Sequence, residues 1–416
     1  MFHMSIAIVA RWQRALLFAT VVWLTMPGLV AARPNFRKPA PDGVIEVVGA
    51  LGRGWSLVEL KDGSLMAVVR SQFRTSNDEG ATWTQSQPLP NNIGGRGGGI
   101  LRLNSGGLAI YSKSHIWRSV DEGQTWDEGS PIQMLGSPYY ATMIQLSNGR
   151  LIYPNRAIFA GEHPETPGGH TYKPEMDIGS ISYSDDDGRT WQMCNGHLMG
   201  WFDHEGVVNG LGGVTPFDEP SVAETADGRV LCFARSTVGR VVATYSRDAG
   251  VNWSAVRPTK LTASYSPCRL VRIPQTGDLL CVWNQVSRVE TRGGYRRSRL
   301  SVAISTDSGR SWHNFKTLEV SAGMEDLDYL VPEFPIQHVG GGWSDVDVLD
   351  DFSWFRYMNV NFAKDKVYIM YVRQWLEGPG KLDLGVQEDA EAPREARRGA
   401  SEQVLRIYPL DYFYTP

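Results

Sequence analysis

Apolar and polar positions alternate in short runs along much of the chain, and the runs meet at tight turns. Ser221-Val222-Ala223-Glu224 leads into Asp227-Gly228, and Val230-Leu231-Cys232-Phe233 follows. Alternation with period two is the mark of a β-strand whose two faces meet different surroundings. A turn dipeptide between two such runs reads as a hairpin, because glycine reaches the positive φ that tight turns need. The same arrangement recurs at Asp62-Gly63, Gly106-Gly107, Asn148-Gly149, Thr276-Gly277 and Lys364-Asp365. Six antiparallel hairpins are therefore expected.

A second repeat is independent of the first. The octet Ser76-Asn77-Asp78-Glu79-Gly80-Ala81-Thr82-Trp83 returns at 119–126, 184–191, 246–253 and 305–312, each time as S-x-D-x-G-x-x-W. In such an octet the Asp side chain caps backbone N–H groups and the Gly closes a tight turn, while the Trp anchors it on the sheet. The aspartates stand at 78, 121, 186, 248 and 307, so neighbouring copies lie 43 to 65 residues apart. That spacing suits one propeller blade with variable insertions.

Six hairpins and five octets predict an all-β, six-bladed β-propeller over residues 33–416, its last blade without an octet. Each complete blade reads strand, turn, strand, loop, strand, octet, strand. The run Val404-Leu405-Arg406-Ile407-Tyr408 is expected to close the ring beside Val44-Ile45-Glu46-Val47-Val48, which removes the free sheet edges. Three long interruptions stand out: Ala157 to Ile181, Val320 to Trp354, and the charged stretch Glu377 to Gln403, read as mobile.

Composition narrows the partners. Residues 1–32 read as a secretory signal, with Arg11 and Arg14 before the apolar stretch Ala15 to Met26 and Val30-Ala31-Ala32 as the cleavage site. An uncleaved anchor is the alternative, though the stretch is short for a span. A secreted or periplasmic protein follows, with no stable membrane insertion after cleavage. The formal charge of −4 becomes −6 once Arg11 and Arg14 leave with the signal, which argues against nucleic acid as a partner. Cys194, Cys232, Cys268 and Cys281 fit no metal motif. Cys232 and Cys281 sit in apolar strand runs and read as buried free thiols. No cofactor and no metal are expected.

The blade topology sorts residues by face. Hairpin turns and octets share one face, so the octets are structural. The starts of first strands, the ends of second strands and the starts of third strands share the other. That second face collects Arg53 in blade one, Glu219 and Arg235 in blade four, Arg297 in blade five and Tyr357 in blade six. Arg299 competes with Arg297. A structural Glu219–Arg235 pair and a merely packed Tyr357 are the bland alternatives.

The octet resembles the Asp-box (BNR repeat) of the sialidase (neuraminidase) superfamily, and the face residues resemble the site of its bacterial secreted members. Arg53-Gly54-Trp55-Ser56 stands where that family has its Arg-Ile-Pro signature. Glu219-Pro220-Ser221-Val222, followed by Asp227-Gly228-Arg229 and Arg235, looks like the family's Glu and second Arg. Ser266 to Asn284 is similar to the strands before the third Arg, and Tyr357 matches the place of the nucleophile. The resemblance implies an exo-glycosidase that removes terminal sialic acid or a related carboxylated sugar from a glycan. Arg53, Arg235 and Arg297 would grip the sugar carboxylate in fork geometry. A neutral Tyr357 nucleophile avoids repulsion by that carboxylate, and Glu219 would take its proton.

One part of the family's machinery is missing. The loop that carries its acid/base Asp is here Arg70-Ser71-Gln72-Phe73-Arg74, and the Pro of Arg-Ile-Pro is absent. Glu175, Asp177, His204 and Glu205 are candidate substitutes. His163, Glu165 and His170 are spaced too irregularly for a metal motif. A carbohydrate-binding propeller that has lost the acid is the alternative reading, and a protein-interaction propeller would not need three converging arginines.

Overall fold

A computed structural model describes residues 36–415, except 52–53, 139, 161–174, 202–213, 288–289, 291–294, 296, 325–351 and 378–396. The signal expected over 1–32 and its cleavage lie outside the described residues, as does Arg53.

Six four-stranded antiparallel sheets form the blades, five of them paired in chain order, and Gly200–Trp201 pairs with Val214–Thr215 in a separate two-stranded sheet. Blade four shows the pattern: Asp218–Glu224, Val230–Arg235, Arg240–Ser246 and Arg257–Thr262. Blade six joins the chain ends. Its outer strand is Ile45–Val48, paired with Arg397–Pro409 through Ile45↔Ile407 and Val48↔Val404. The expected closure and the six-bladed all-β architecture are thus observed.

Alternation along each strand explains why the blades stack. In blade four Val222 and Cys232 pack toward blade three, while Ala223, Leu231 and Phe233 pack toward blade five. Each of the six interfaces between successive blades holds such an apolar cluster. Hydrogen bonds link the first strands of neighbouring blades: Leu57 N donates to Asn361 Oδ1 at 3.1 Å, Ile100 N to Ser56 Oγ at 2.7 Å, and Leu270 N to Ser221 Oγ at 3.0 Å.

The octets cap their own turns. In the first, Ser76 Oγ donates to Asp78 Oδ1 at 2.8 Å, Thr82 N donates to the same oxygen at 2.9 Å, and Gly80 N donates to Ser76 Oγ at 2.8 Å. Glu79 and Gly80 are both left-handed, at φ 57° and 91°. The Trp83 indole donates to the Gly80 carbonyl at 2.9 Å, and its ring fills the interface with the preceding blade. Octets and hairpin turns do share a face: Lys61 N, in the first turn, donates to Glu122 Oε2, in the second octet, at 2.9 Å.

Blade six has no octet to plug its interface with blade five. Leu410–Phe413, a short 3₁₀ turn, does so instead, with Phe413 only 1% exposed and Tyr412 and Tyr414 beside it.

Two expected interruptions are strand at their described ends. Leu151–Ala160 pairs with Glu175–Ser184 through all ten positions, so residues 157–160 and 175–181 continue the ladder of blade three. The final strand reaches back to Arg397, and Glu402 within it accepts from Arg373 and from Arg37, the latter at 2.9 Å. Charge and glycine content suggested a loop at both places, but cross-strand pairing outweighs local propensity. All four cysteines are free and buried.

Candidate functional site

Two bulges build the site. In blade four the register passes from Asp218↔Arg235 to Ser221↔Phe233, so Glu219 and Pro220 add one residue to the first strand. In blade six it passes from Arg356↔Val372 to Asn359↔Met370, adding one residue at Tyr357 and Met358. Bulges re-aim side chains out of the ladder. Glu219 (φ 47°) and Tyr357 (φ 56°) both adopt left-handed backbone, as do Arg297 (52°) and Tyr140 (61°). That conformation costs a non-glycine residue roughly 1–2 kcal/mol and is held here by the surrounding sheet. Tyr357 therefore does not open its strand as expected. The strand starts at Ser353, and Tyr357 lies at a kink inside it.

Glu219 is 1% exposed, and Arg235 Nη1 donates to its Oε2 at 2.9 Å. The Arg235 guanidinium lies 3.5 Å from the Tyr265 ring centroid, a stacked cation–π contact. Behind this pair runs a buried chain of charges. Arg235 Nη1 is 3.6 Å from Asp218 Oδ2, Arg156 Nε is 2.6 Å from Asp218 Oδ1, and Arg156 Nη1 is 2.8 Å from Asp177 Oδ1.

Arg297 precedes the third strand of blade five, which begins at Arg299. Its carbonyl accepts from Phe355 N at 2.9 Å, which ties it to blade six. Its guanidinium stands 5.8 Å from the Tyr357 ring centroid. Arg299 is buried instead with Glu290, at 2.9 Å, so the left-handed turn at Arg297 sends the two side chains to different surroundings. The Tyr140 ring meets Tyr357 edge-on, 5.6 Å between centroids, and its hydroxyl donates to the Met358 carbonyl.

The charges tune one another. Burial pushes the Glu219 carboxyl up, but Arg235 and Arg297 outweigh it, so the group stays below the ordinary glutamate value. Burial, reinforced by Glu219, lifts Asp218 to about 7. Burial and the neighbouring Arg235 lower the Arg297 guanidinium.

A cavity of about 330 Å³ is lined by Tyr357, Tyr140 and Asn359 and by Gly54 of blade one. No carboxylate lines it among the described residues. The structure thus brings Glu219, Arg235, Arg297 and Tyr357 into one cluster. Asp177, a candidate acid, is 1% exposed and taken up by Arg156. Glu175 lies on the adjoining strand with its side chain undescribed, and Glu162, His163, Glu165, His170, His204 and Glu205 lie outside the described residues. Sequence reasoning missed Tyr140, Arg156, Asp218 and Arg269. Arg269 carried a signal, as a lone cation in the apolar run Cys268-Arg269-Leu270-Val271.

The profile of the BNR repeat-like domain matches residues 100–329, more than half of the chain. The chain belongs to that family. This bears out the Asp-box resemblance read from the octets. Among curated protein sequences there is no match. Several solved structures are similar to this BNR-repeat chain. The K499G mutant of NanB sialidase from Streptococcus pneumoniae is 12% identical, with 90% of this chain and 70% of that chain covered and a TM-score of 0.48. An intramolecular trans-sialidase from Ruminococcus gnavus is 12% identical over 88% and 96%, with a TM-score of 0.47. An alpha-L-arabinanase from Penicillium chrysogenum is 13% identical over 91% and 97%, also at 0.47.

Proposed function

We propose that this propeller is a secreted or periplasmic glycosidase of sialidase type, acting on terminal sialic acid or a related carboxylated sugar. Tyr357 is the nucleophile: its oxygen attacks the anomeric carbon as the glycosidic C–O bond breaks, and Glu219 takes the phenolic proton. Water then attacks the anomeric carbon and passes a proton to solvent, while the bond to the Tyr357 oxygen breaks and Glu219 returns its proton to the phenolate; two displacements retain the anomeric configuration. Arg235 and Arg297, with Arg53 in the same role, receive the sugar carboxylate.

One observation carries the reading. A carboxylate kept ionised by arginines and a tyrosine sit on matching strained bulges in two blades, with Arg297 sensing both. Strain of this kind collects at sites where a side chain must be held for chemistry. A second reading, a sugar-binding propeller without turnover, is favoured by the absence of a carboxylate among the described cavity residues.

A fluorinated, slow-turnover sialic acid tests the proposal. The label is expected on Tyr357 by peptide mapping. A label elsewhere, or product of inverted configuration, would overturn the nucleophile assignment. Binding with no label and no turnover would leave the binding-only reading.

A further inference from the structure

The cavity beside Tyr357 is lined by four cations: Arg70 from blade one, Arg96 and Lys113 from blade two, and Arg269 from blade five. None of them has an ion pair with a described carboxylate. Arg269 is only 4% exposed, and its Nε and Nη1 have no hydrogen-bond partner among the described residues. Its guanidinium rests on the Tyr140 ring, 4.1 Å from the centroid. The chain as a whole carries a formal charge of −4, so this cluster is a local feature rather than a share of general basicity.

Backbone packing holds the cluster in place. Arg96 is the one side chain in the run Gly94-Gly95-Arg96-Gly97-Gly98-Gly99. A Cβ at Gly98 would fall 1.8 Å from the Tyr111 carbonyl oxygen, and one at Gly94 would fall 2.0 Å from that of Arg70. The glycines let this loop lie against both neighbours, which brings Arg96 to Arg70 and Lys113. The Arg96 carbonyl accepts from Lys113 N at 3.1 Å.

Cations gathered without counter-charge repel one another, and a buried one is costly unless paired. Arg235 is already balanced by Glu219, at 2.9 Å. A single sugar carboxylate shared with Arg235 and Arg297 leaves the cavity cations largely unbalanced. We propose that the cavity is a second anion subsite, which receives a sulfate ester or a further carboxylate carried by the same glycan. This rests on the acidic-sugar reading above and narrows its substrate to doubly anionic sugars.

Titration calorimetry at fixed ionic strength tests it with sialic acid, a sulfated sialic acid, a sialyl–sialic acid dimer and inorganic sulfate. The Arg96→Ala, Lys113→Ala double variant is the comparison. Arg96 is exposed and Lys113 partly so, and thermal unfolding checks the fold. The sulfate ester, the second carboxylate or both should tighten binding at least tenfold in the native protein, and whichever does so is the source. The double variant should lose that gain while keeping its affinity for sialic acid within twofold. No gain from either group, or an equal loss for sialic acid itself, would overturn the subsite. Binding of inorganic sulfate that the double variant abolishes, with no binding of any sialic acid, would sustain the subsite and sink the acidic-sugar reading instead.

Discussion

Glu219 and Tyr357 occupy the same place in two different blades: each is the left-handed residue of a one-residue bulge in a first strand. The side chains lifted out of the ladder by these bulges are the carboxylate and the phenol that the proposed mechanism uses. Arg297, left-handed as well, stands against the Tyr357 ring and helps to keep Glu219 ionised.

Arg235 is held flat against Tyr265 while one of its nitrogens binds Glu219. Lysine keeps the charge but neither stacks as a plane nor offers two parallel donors. Arg235→Lys should therefore weaken binding of a carboxylated sugar by about tenfold or more, in line with a charge-assisted bond of roughly 1.5–3 kcal/mol. Titration calorimetry reads this directly. Unchanged affinity would take Arg235 out of the site.

Asp218 gives the fold a pH dependence of defined sign. Its pKa of about 7 lies above the aspartate reference of 3.8. Between these values the folded protein holds a proton that the unfolded chain has released, so stability falls as pH rises through the window. Glu219, shifted down from 4.5, works in the opposite sense: its contribution is full above that value and lost only as pH falls below it. Of these two groups Asp218 is the one expressed from pH 5 to pH 8, and the Glu319 carboxyl, also pushed up by burial, acts with the same sign. The melting temperature should drop across that range, and Asp218→Asn should flatten the drop. A slope that survives in the Asn variant would assign it to another group.

Much of this was legible in the chain. Six hairpin signals and five octets specify six blades, because turn chemistry and strand period are local. The placement of Glu219 at the start of a first strand and of Arg235 at the end of a second followed from topology, whereas Tyr357 was expected at a strand start and lies inside Ser353–Ala363. The bulges were not legible, since both faces of these strands are largely buried, so the one-residue shift in alternation leaves no apolar–polar signal. Arg156 and Asp218 were missed for a different reason: their partnership spans blades three and four, and no spacing rule connects positions 156, 177 and 218. The ladder Ala157↔Ile178 to Ala160↔Glu175 was read as an interruption because Glu175 and Asp177 break its apolar run, and the pairing across blade three holds it.

The C-terminal turn is a replacement for an octet, and this has a measurable consequence. The Trp of each octet plugs one interface, and Phe413 plugs the one between blades five and six. Asn314 Nδ2 fastens the turn by donating to the Phe413 carbonyl at 3.2 Å and to the Tyr414 carbonyl at 3.0 Å. Phe413→Ala should cost about 3–5 kcal/mol, the range for emptying a buried aromatic site. Chemical denaturation checks this. A loss below about 1 kcal/mol would mean that the ring closes without its last plug.

The loop Arg70 to Arg74, without a carboxylate, makes the strongest kinetic prediction. The loop from Arg70 to Arg74 holds no carboxylate, and none lines the cavity among the described residues. A general acid contributes about 10²–10⁴-fold when the leaving group is poor and little when it is a nitrophenol. Turnover should therefore fall steeply as leaving-group pKa rises, with nitrophenyl sialosides hydrolysed at least about 100-fold faster than alkyl ones. Arg70 offers a place to restore the acid. It lines the cavity at φ 54°, a conformation that aspartate tolerates better than most residues. Arg70→Asp should raise the rate on alkyl sialosides and narrow the gap between the two substrates by tenfold or more. The comparison is of kcat/KM across a series of leaving groups in both proteins, with thermal unfolding to confirm the fold. A shallow dependence in the native protein would mean that a carboxylate or imidazole outside the described residues already supplies the proton. A steep dependence that Arg70→Asp leaves unchanged would place the glycosidic oxygen away from blade one.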